Sequence, residues 1–242
     1  MAHPFTRILL TGGSGALGTQ IQKHLDCIAP SRSELDLTDA AVCARVVKRY
    51  RPALIIHAAA YTDVAGGERE RADAYRINVL GTQHLVRAAH GIRFIYLSTE
   101  YVFDGERGNY REDDVPNPVN YYALTKLLGE LVVGQYPNTL IIRTSFKPDG
   151  PWPYPAAFTD QWTSADFASV RAPQIVQAAL MPGLLGVIHI GGERKTVYDL
   201  AVKSTPTVGK RSITELKLTL PRDTSLDTSL WRSRRSAKLA AK

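Results

Sequence analysis

The sequence predicts an α/β protein built on a doubly wound parallel sheet with helices on both faces. Short apolar runs of strand length alternate with longer segments that carry helical spacing of apolar residues, and turns of glycine or small residues follow several of the apolar runs. Alternation at this spacing is typical of parallel strands joined by helices. The 242 residues suit one such unit with a small additional lobe.

The first apolar run, Arg7–Thr11, leads directly into glycines spaced G-x-x-G-x-x-G, and helix-like Thr19–Leu25 follows. Glycine suits a sharp turn, a close approach of backbone to a pyrophosphate, and tight packing of helix on strand. Strand, triplet and helix in this order predict a Rossmann-type dinucleotide-binding turn, with a merely flexible loop as the alternative. The predicted cofactor-binding residues here are Gly12, Gly15, Ala16, Leu17 and Gly18.

A second predicted strand, Asp26–Pro30, ends in Ser31 and Arg32, where an NAD-specific protein usually carries an acidic residue. A cation and hydroxyls suit the 2′-phosphate of NADP, so the sequence favours NADP(H), with NAD(H) left open. Arg32 as a solvated loop arginine is the alternative. Asp36 and Leu37 follow, and we expect them near the adenine edge.

The third predicted strand, Ala53–His57, opens into Ala58, Ala59 and Ala60. Three small residues at the carboxyl end of a strand let a ligand lie against the backbone, although tight packing explains them too. A helical stretch is predicted from about Glu68 to Ala89, followed by a fourth strand from Arg93.

Tyr122 and Lys126 stand four residues apart. On a helix they share a face, so the ammonium can favour the phenolate and lower the tyrosine pKa. Tyr122 is therefore a candidate general acid/base. The alternative is an amphipathic helix with a surface lysine.

A further segment, Ser98–Gly105, reads Ser-Thr-Glu-Tyr-Val-Phe-Asp-Gly, and its Thr99 precedes Tyr122 by 23 residues. With the glycine triplet and Asn78–Gly81, these residues resemble an extended short-chain dehydrogenase/reductase. More narrowly, they are similar to the dTDP-4-dehydrorhamnose reductase family, which carries Ser-Thr-Asp-Tyr-Val-Phe-Asp-Gly and Asn-x-Tyr-Gly/Ala-x-x-Lys. The resemblance covers about residues 5 to 145 and resumes in fragments after residue 190.

The resemblance implies NADPH-dependent reduction of the 4-keto group of a nucleotide-activated deoxysugar, as in dTDP-rhamnose biosynthesis. Tyr122 would give the proton, Lys126 would lower its pKa and hold the nicotinamide ribose, and Thr99 would hydrogen-bond the substrate oxygen. By the same resemblance, Asn78, Tyr122 and Lys126 contact the cofactor, and Glu100, Tyr101 and Phe146 line the substrate pocket, with loop packing as the alternative for Glu100 and Tyr101.

Two departures from the family put the substrate in question. Phe146 stands where the family has tryptophan, and the proline-dense segment 147–155 cannot form a helix interior. The chain is also shorter than expected, so the sequence predicts a reduced C-terminal substrate lobe, rebuilt from 147–180 and 203–230. A non-catalytic NADP-binding subunit, resembling the regulatory beta subunit of methionine adenosyltransferase, stays open, as does a sugar-nucleotide epimerase or dehydratase.

The predicted organisation is an NADP-binding Rossmann domain (1–146), a reduced substrate lobe (147–230) interleaved with a final strand of the sheet (186–191), and a basic tail (231–242). The net charge of +7 arises in the last forty residues, because residues 1–202 carry 20 basic and 20 acidic side chains. A frayed, solvated tail explains this charge more simply than a polyanion contact, and no nucleic-acid partner is expected.

Other features of the composition point to a cytoplasmic protein. Cys27 and Cys43 have no metal or redox spacing, the six histidines are scattered, and no apolar run reaches eighteen residues. We expect reduced thiols, no metal site, no membrane span and no signal peptide. The resemblance also allows a homodimer.

Overall fold

The computed structural model describes residues 4–240 and contains a central sheet of five parallel strands in the order β1-β2-β3-β4-β9. In chain order the strands are β1 (Ile8–Thr11), β2 (Leu54–His57), β3 (Arg93–Thr99), β4 (Thr139–Thr144), β5 (Phe146–Lys147), β6 (Ala156–Phe158), β7 (Trp162–Thr163), β8 (Asp166–Phe167), β9 (Gly186–Ile190), β10 (Lys195–Thr196) and β11 (Gly209–Arg211). The central strands are short apolar runs that are buried on both faces, as expected for a parallel sheet covered by helices.

Helices cover both faces of this sheet, as predicted. The helices are α1 (Ala16–Gln22), α2 (Ala40–Tyr50), α3 (Val64–Arg69), α4 (Arg71–Tyr75), α5 (Thr82–Ala88), α6 (Tyr121–Val133), α7 (Ala168–Ala179), α8 (Val197–Ala201) and α9 (Ser229–Ala240). Apolar residues of α1 and α7 pack on one face, and those of α2, α5 and α6 pack on the other. None of the helices within residues 4–240 is long and apolar enough to cross a membrane.

The predicted second strand, Asp26–Pro30, is reduced to a single bridge between Ile28 and Leu9. Ile28 donates to the Ile8 carbonyl and accepts from Leu10 N–H, both at 2.8 Å, and so extends the sheet beyond β1 by one residue. Pro30 lacks the N–H that a longer ladder would need.

The helical stretch predicted from Glu68 to Ala89 is interrupted. Glu70 lies outside helical geometry between α3 and α4, and Arg76–Gly81 forms a π-helical turn between α4 and α5. Such turns are frequent at functional sites, and this one contains Asn78.

The basic tail is not frayed, and the prediction was wrong in this respect. Ser229–Ala240 is helix α9, and the Trp231 side chain is only 2% exposed within the same apolar cluster as α1 and α7. Burial of this indole holds the helix on the protein while Arg232, Arg234 and Arg235 face solvent. The remaining tail residues 241–242, like residues 1–3 of the predicted first domain, lie outside the described residues.

The chain between β4 and α9 forms a second, smaller apolar cluster around Trp152, Ala157, Leu200 and Val208. Three short strand pairs border it: β5 with β8, β6 with β11, and β7 with β10. The proline-dense segment 148–155 is non-helical, as predicted. Helix α7, however, packs against α1 on the sheet, so it does not belong to the rebuilt segment 147–180.

Candidate active site

A groove of about 700 Å³ lies at the carboxyl ends of the central strands. Most of the residues predicted from the sequence to bind cofactor or substrate line it, whereas Asn78, Glu100 and Lys126 do not. The predicted residues that line the groove are Gly12, Gly15, Ala16, Leu17, Gly18, Ser31, Arg32, Asp36, Leu37, Ala58, Ala59, Ala60, Thr99, Tyr101, Tyr122 and Phe146.

The glycine turn leaves no room for side chains. Gly12 has φ +72°, and a Cβ on it would lie 2.7 Å from Ala59 N. A Cβ on Gly18 would lie 2.1 Å from the Gly12 carbonyl oxygen. The turn is therefore closed on the protein side and presents backbone to the groove, which fits the pyrophosphate of a dinucleotide.

Beyond this turn, the segment after Ile28 carries the exposed Arg32. Ser31 donates to the Glu34 carboxylate from both its N–H and its hydroxyl, each at 2.9 Å. The hydrogen bonds from Ser31 lower the pKa of Glu34. Glu34 is an acidic neighbour that the sequence interpretation did not consider, and it engages the hydroxyl expected to bind a 2′-phosphate.

Asn78 supports the wall of the groove from behind, and its contact with the cofactor stays a prediction. Its side chain accepts from Tyr61 N–H at 2.8 Å and donates to the Tyr61 carbonyl at 3.0 Å and to the Thr125 hydroxyl at 2.9 Å. Asn78 thereby fixes the loop after β2 against α6.

Tyr122 is the second residue of α6, which begins after Asn120, whose side chain accepts from Ala123 N–H at 2.9 Å. Burial raises the pKa of Tyr122 to about 12, and the Thr99 hydroxyl offsets part of this rise. This direction is opposite to the predicted lowering by Lys126, because desolvation disfavours the charged phenolate. The phenol is thus protonated at neutral pH.

Lys126 is buried, at 3% exposure, so it is not a surface lysine. Its ammonium lies 4.1 Å from the centroid of the Tyr96 ring, behind the groove. Burial lowers the pKa of Lys126 to about 7, against the opposing influence of Glu130. The lysine therefore changes charge near neutral pH.

A buried charge network joins α6 to the central strands. Arg143 of β4 donates to both carboxylate oxygens of Glu130, with a shortest distance of 2.8 Å. The Ser98 hydroxyl donates to the same carboxylate from the end of β3. Ser98 precedes Thr99, and Glu130 lies one turn after Lys126, so the network sets the position of α6 relative to Thr99. A charged residue within the apolar run 139–144 was the available signal for this network, and the sequence interpretation missed it.

Glu100 does not line the groove and is turned towards Thr163 and Ser164, as the loop-packing alternative expects, and its contact with substrate stays a prediction. The carboxylate accepts from the Thr163 hydroxyl and, at 3.2 Å, from Ser164 N–H. Burial raises the pKa of Glu100. Tyr101 does line the groove, and its hydroxyl accepts from Gln161 at 3.1 Å.

The sequence interpretation missed several residues at or after the end of β4 that line the same groove: Thr144, Ser145, Lys147, Pro148, Pro153 and Tyr154. Their only signal was proximity to a strand end. Lys147 brings a second cation into the groove, and burial lowers its pKa.

Comparison with known proteins places these features in a family. The family described as RmlD substrate binding domain matches residues 6–147, more than half of the chain. The chain belongs to this family. A dTDP-4-dehydrorhamnose reductase of Aggregatibacter actinomycetemcomitans is 34% identical over 198 residues, which cover 77% of this chain and 62% of that protein. A protein of the same name from Mycobacterium tuberculosis is 37% identical over 60% of this chain and 52% of its own length.

Proteins with other names are also similar to this chain. Methionine adenosyltransferase 2 subunit beta of Xenopus tropicalis is 38% identical over 144 residues, which cover 54% of this chain and 43% of that protein. The matched part of the chain thus spans between about two fifths and three fifths of these relatives.

Solved structures of the family match over nearly the whole chain. A hypothetical dTDP-4-dehydrorhamnose reductase from Sulfolobus tokodaii is 34% identical with a TM-score of 0.84 and covers 94% of both chains. A Bacillus anthracis dTDP-4-dehydrorhamnose reductase in complex with NADP is 27% identical with a TM-score of 0.87, over 97% of this chain and 93% of its own. Both matches extend through the C-terminal part of the chain, and the reduction of the substrate lobe stays a prediction.

Proposed function

We propose that the protein reduces the 4-keto group of a nucleotide-activated deoxysugar with NADPH. The observation that carries this proposal is that Thr99 and Tyr122 line the same groove as the glycine turn. A cofactor cradle and a proton donor in one groove are the two components that ketone reduction requires.

The groove fits the cofactor that the family implies. The closed glycine turn would hold the pyrophosphate, the small residues 58–60 would let the dinucleotide lie against the backbone, and Arg32 would bind the 2′-phosphate. NADPH would supply the hydride when bound.

Tyr122 supplies the proton in this proposal. Its raised pKa keeps the phenol protonated at neutral pH, which is the form that a proton donor needs. The Thr99 hydroxyl hydrogen-bonds the substrate oxygen and holds it beside the phenol. Lys126 lies one turn further along α6, and its ammonium stabilises the phenolate that remains after proton transfer.

The substrate lobe is formed by residues 147–230 without helix α7, which packs on the sheet, and without β9, which is one of its strands. This keeps the division predicted at residue 146 and refines it, because α7 packs against α1. Homodimer formation and a cytoplasmic location stay predictions.

The assay for this proposal measures oxidation of NADPH by the purified protein in the presence of a dTDP-4-keto-6-deoxyhexose. The loss of NADPH absorbance gives the rate. We expect turnover well above that of Tyr122→Phe. The same background rate for wild type and variant across several 4-keto nucleotide sugars would contradict the proposal.

A second candidate is a non-catalytic NADP-binding subunit. The identity of 38% to a methionine adenosyltransferase beta subunit is similar to the 34% and 37% identity to the two reductases above, although over a shorter segment. This candidate predicts that NADP binds and that no nucleotide sugar does. Tight binding of a dTDP-sugar to the NADP complex, measured by calorimetry, would count against it.

A further inference from the structure

Two cationic side chains are among the described residues that line the groove, and they lie next to different strands of the central sheet. Arg32 belongs to the segment outside β1, whereas Lys147 follows β4. β1 and β4 are separated by three strand spacings in the sheet order. At about 4.8 Å per spacing, this amounts to roughly 14 Å. A 2′-phosphate held at Arg32 therefore leaves Lys147 without a partner.

Lys147 is held by β5, which pairs with β8 through Lys147 and Phe167. Its ammonium lies 5.8 Å from the centroid of the Trp152 ring. No hydrogen bond or ion pair to this ammonium is present in the part of the chain that the structure describes. Glu100 is the nearby carboxylate that opposes the lowering of the Lys147 pKa, but it is outside ion-pair distance and accepts hydrogen bonds from Thr163 and Ser164.

A second polar group on the same segment also lacks a partner. The Thr144 hydroxyl is buried and makes no hydrogen bond within residues 4–240, and Thr144 lines the groove with Lys147. Lys147 is half-buried, and desolvating an ammonium without a counter-charge is costly, so an anionic ligand in the groove would relieve this cost. Thr99, Tyr122 and Tyr154 line the same groove, so the ligand would reach the site of reduction.

We propose that Lys147 is a specificity-determining residue that binds the diphosphate of the nucleotide-sugar substrate. A lysine ammonium is a compact charge with three donors that suits phosphate oxygens. The inference rests on the proposed reductase function and deepens it, because it requires a substrate whose sugar is joined to a diphosphate. An uncharged sugar would leave the ammonium unpaired.

The test measures ligand binding without turnover. Protein saturated with NADP⁺ is titrated in a calorimeter with dTDP and, separately, with thymidine, which lacks the phosphates. Wild type binds dTDP more tightly than thymidine. In Lys147→Met, the affinity for dTDP falls roughly ten- to hundredfold, as expected for loss of a charge-assisted contact, and that for thymidine stays the same. Lys147→Arg keeps part of the dTDP affinity because it keeps the charge.

Lys48→Met, at an exposed position of α2, is the matched control and leaves both affinities unchanged. The NADP⁺ affinity and melting temperature of each variant report on folding. The inference is overturned if wild type does not bind dTDP, if Lys147→Met binds dTDP like wild type, or if it loses dTDP and thymidine affinity equally. Failure of this inference can be distinguished from failure of the reductase function. If the protein turns over a 4-keto sugar but Lys147→Met binds dTDP like wild type, only this inference is overturned.

Discussion

The two sides of the groove are built in different ways. The side proposed to bind the cofactor, here called the cofactor side, consists of the glycine turn, the segment 31–37 and residues 58–60. Its glycine turn and residues 58–60 present backbone and small side chains. The substrate side consists of Thr99, Tyr101, Tyr122 and the segment 144–154, and it presents hydroxyls, aromatic rings and a lysine. Its supporting residues include the buried charges of Lys126, Glu130 and Arg143.

The cofactor side thus depends mainly on its shape, whereas the substrate side depends on the charges of its side chains. A turn without side chains binds any dinucleotide that fits, so the cofactor side needs few buried charges. Proton transfer needs groups whose pKa values are set by burial, so the substrate side carries desolvated charges that must be balanced. The two sides should therefore respond differently to mutation.

The largest effect on stability is expected on the substrate side, at Glu130. Glu130→Ala leaves the Arg143 guanidinium buried without its partner, so the free energy of unfolding falls by about 3–5 kcal/mol. Chemical denaturation measures this change. Glu106→Ala, at an exposed position, is the control with no expected change. Equal small effects for both variants would show that the network does not hold α6 in place.

Substitution of Arg32 tests whether this charged side chain recognises the 2′-phosphate of the cofactor. Arg32→Ala should weaken NADPH binding by about 1.5–3 kcal/mol and leave NADH binding unchanged, because only NADPH carries the 2′-phosphate. Fluorescence titration of the two cofactors gives both affinities. Arg235→Ala, exposed on α9, should change neither. A loss shared by NADPH and NADH would remove Arg32 as the phosphate-binding residue.

Substitution of Gly18 tests whether the close packing of the glycine turn determines stability and cofactor binding. Helix propensity favours alanine within α1, but the new Cβ would lie 2.1 Å from the Gly12 carbonyl oxygen. We expect Gly18→Ala to lower the free energy of unfolding by about 1–3 kcal/mol and to weaken NADPH binding. Gly183→Ala meets no atom within 4 Å and should be neutral. A stabilised Gly18→Ala would contradict the close packing of this turn.

The pH dependence of the reduction rate tests the role of the Lys126 charge on the substrate side. The pKa of Lys126, lowered to about 7, means that the ammonium is present below this pH and is lost above it. The rate of reduction should fall roughly fivefold between about pH 7 and 8, as expected for loss of a protonated group. In Lys126→Arg, which stays charged, the fall should move to higher pH. A flat wild-type profile over this range would remove Lys126 from the proton-transfer step.

The cofactor side could be predicted from the sequence because its determinants are local. The glycine triplet and the small residues 58–60 lie within single turns, so spacing alone identified them. On the substrate side, the four-residue spacing to Lys126 made Tyr122 a candidate general acid/base. Thr99 was identified only through the resemblance, and Lys147 was missed. Its place in the groove depends on the pairing of β5 with β8, which no local pattern shows.

Burial accounts for the differences between the sequence predictions and the structure. Asn78 and Glu100 occupy motif positions, but their side chains satisfy buried backbone and hydroxyl groups behind the groove. The direction of the Tyr122 pKa depends on desolvation, which residue spacing does not report. Trp231 likewise orders a segment whose charge alone predicted a solvated tail.

The most direct test of the account follows hydride transfer in a single turnover, with NADPH-saturated protein mixed rapidly with a dTDP-4-keto-6-deoxyhexose. If the Tyr122 phenol supplies the proton, Tyr122→Phe should slow NADPH oxidation by about 10²–10⁴-fold while its affinity for NADPH stays the same. Equal single-turnover rates for wild type and Tyr122→Phe would show that the proton comes from elsewhere and would contradict the account.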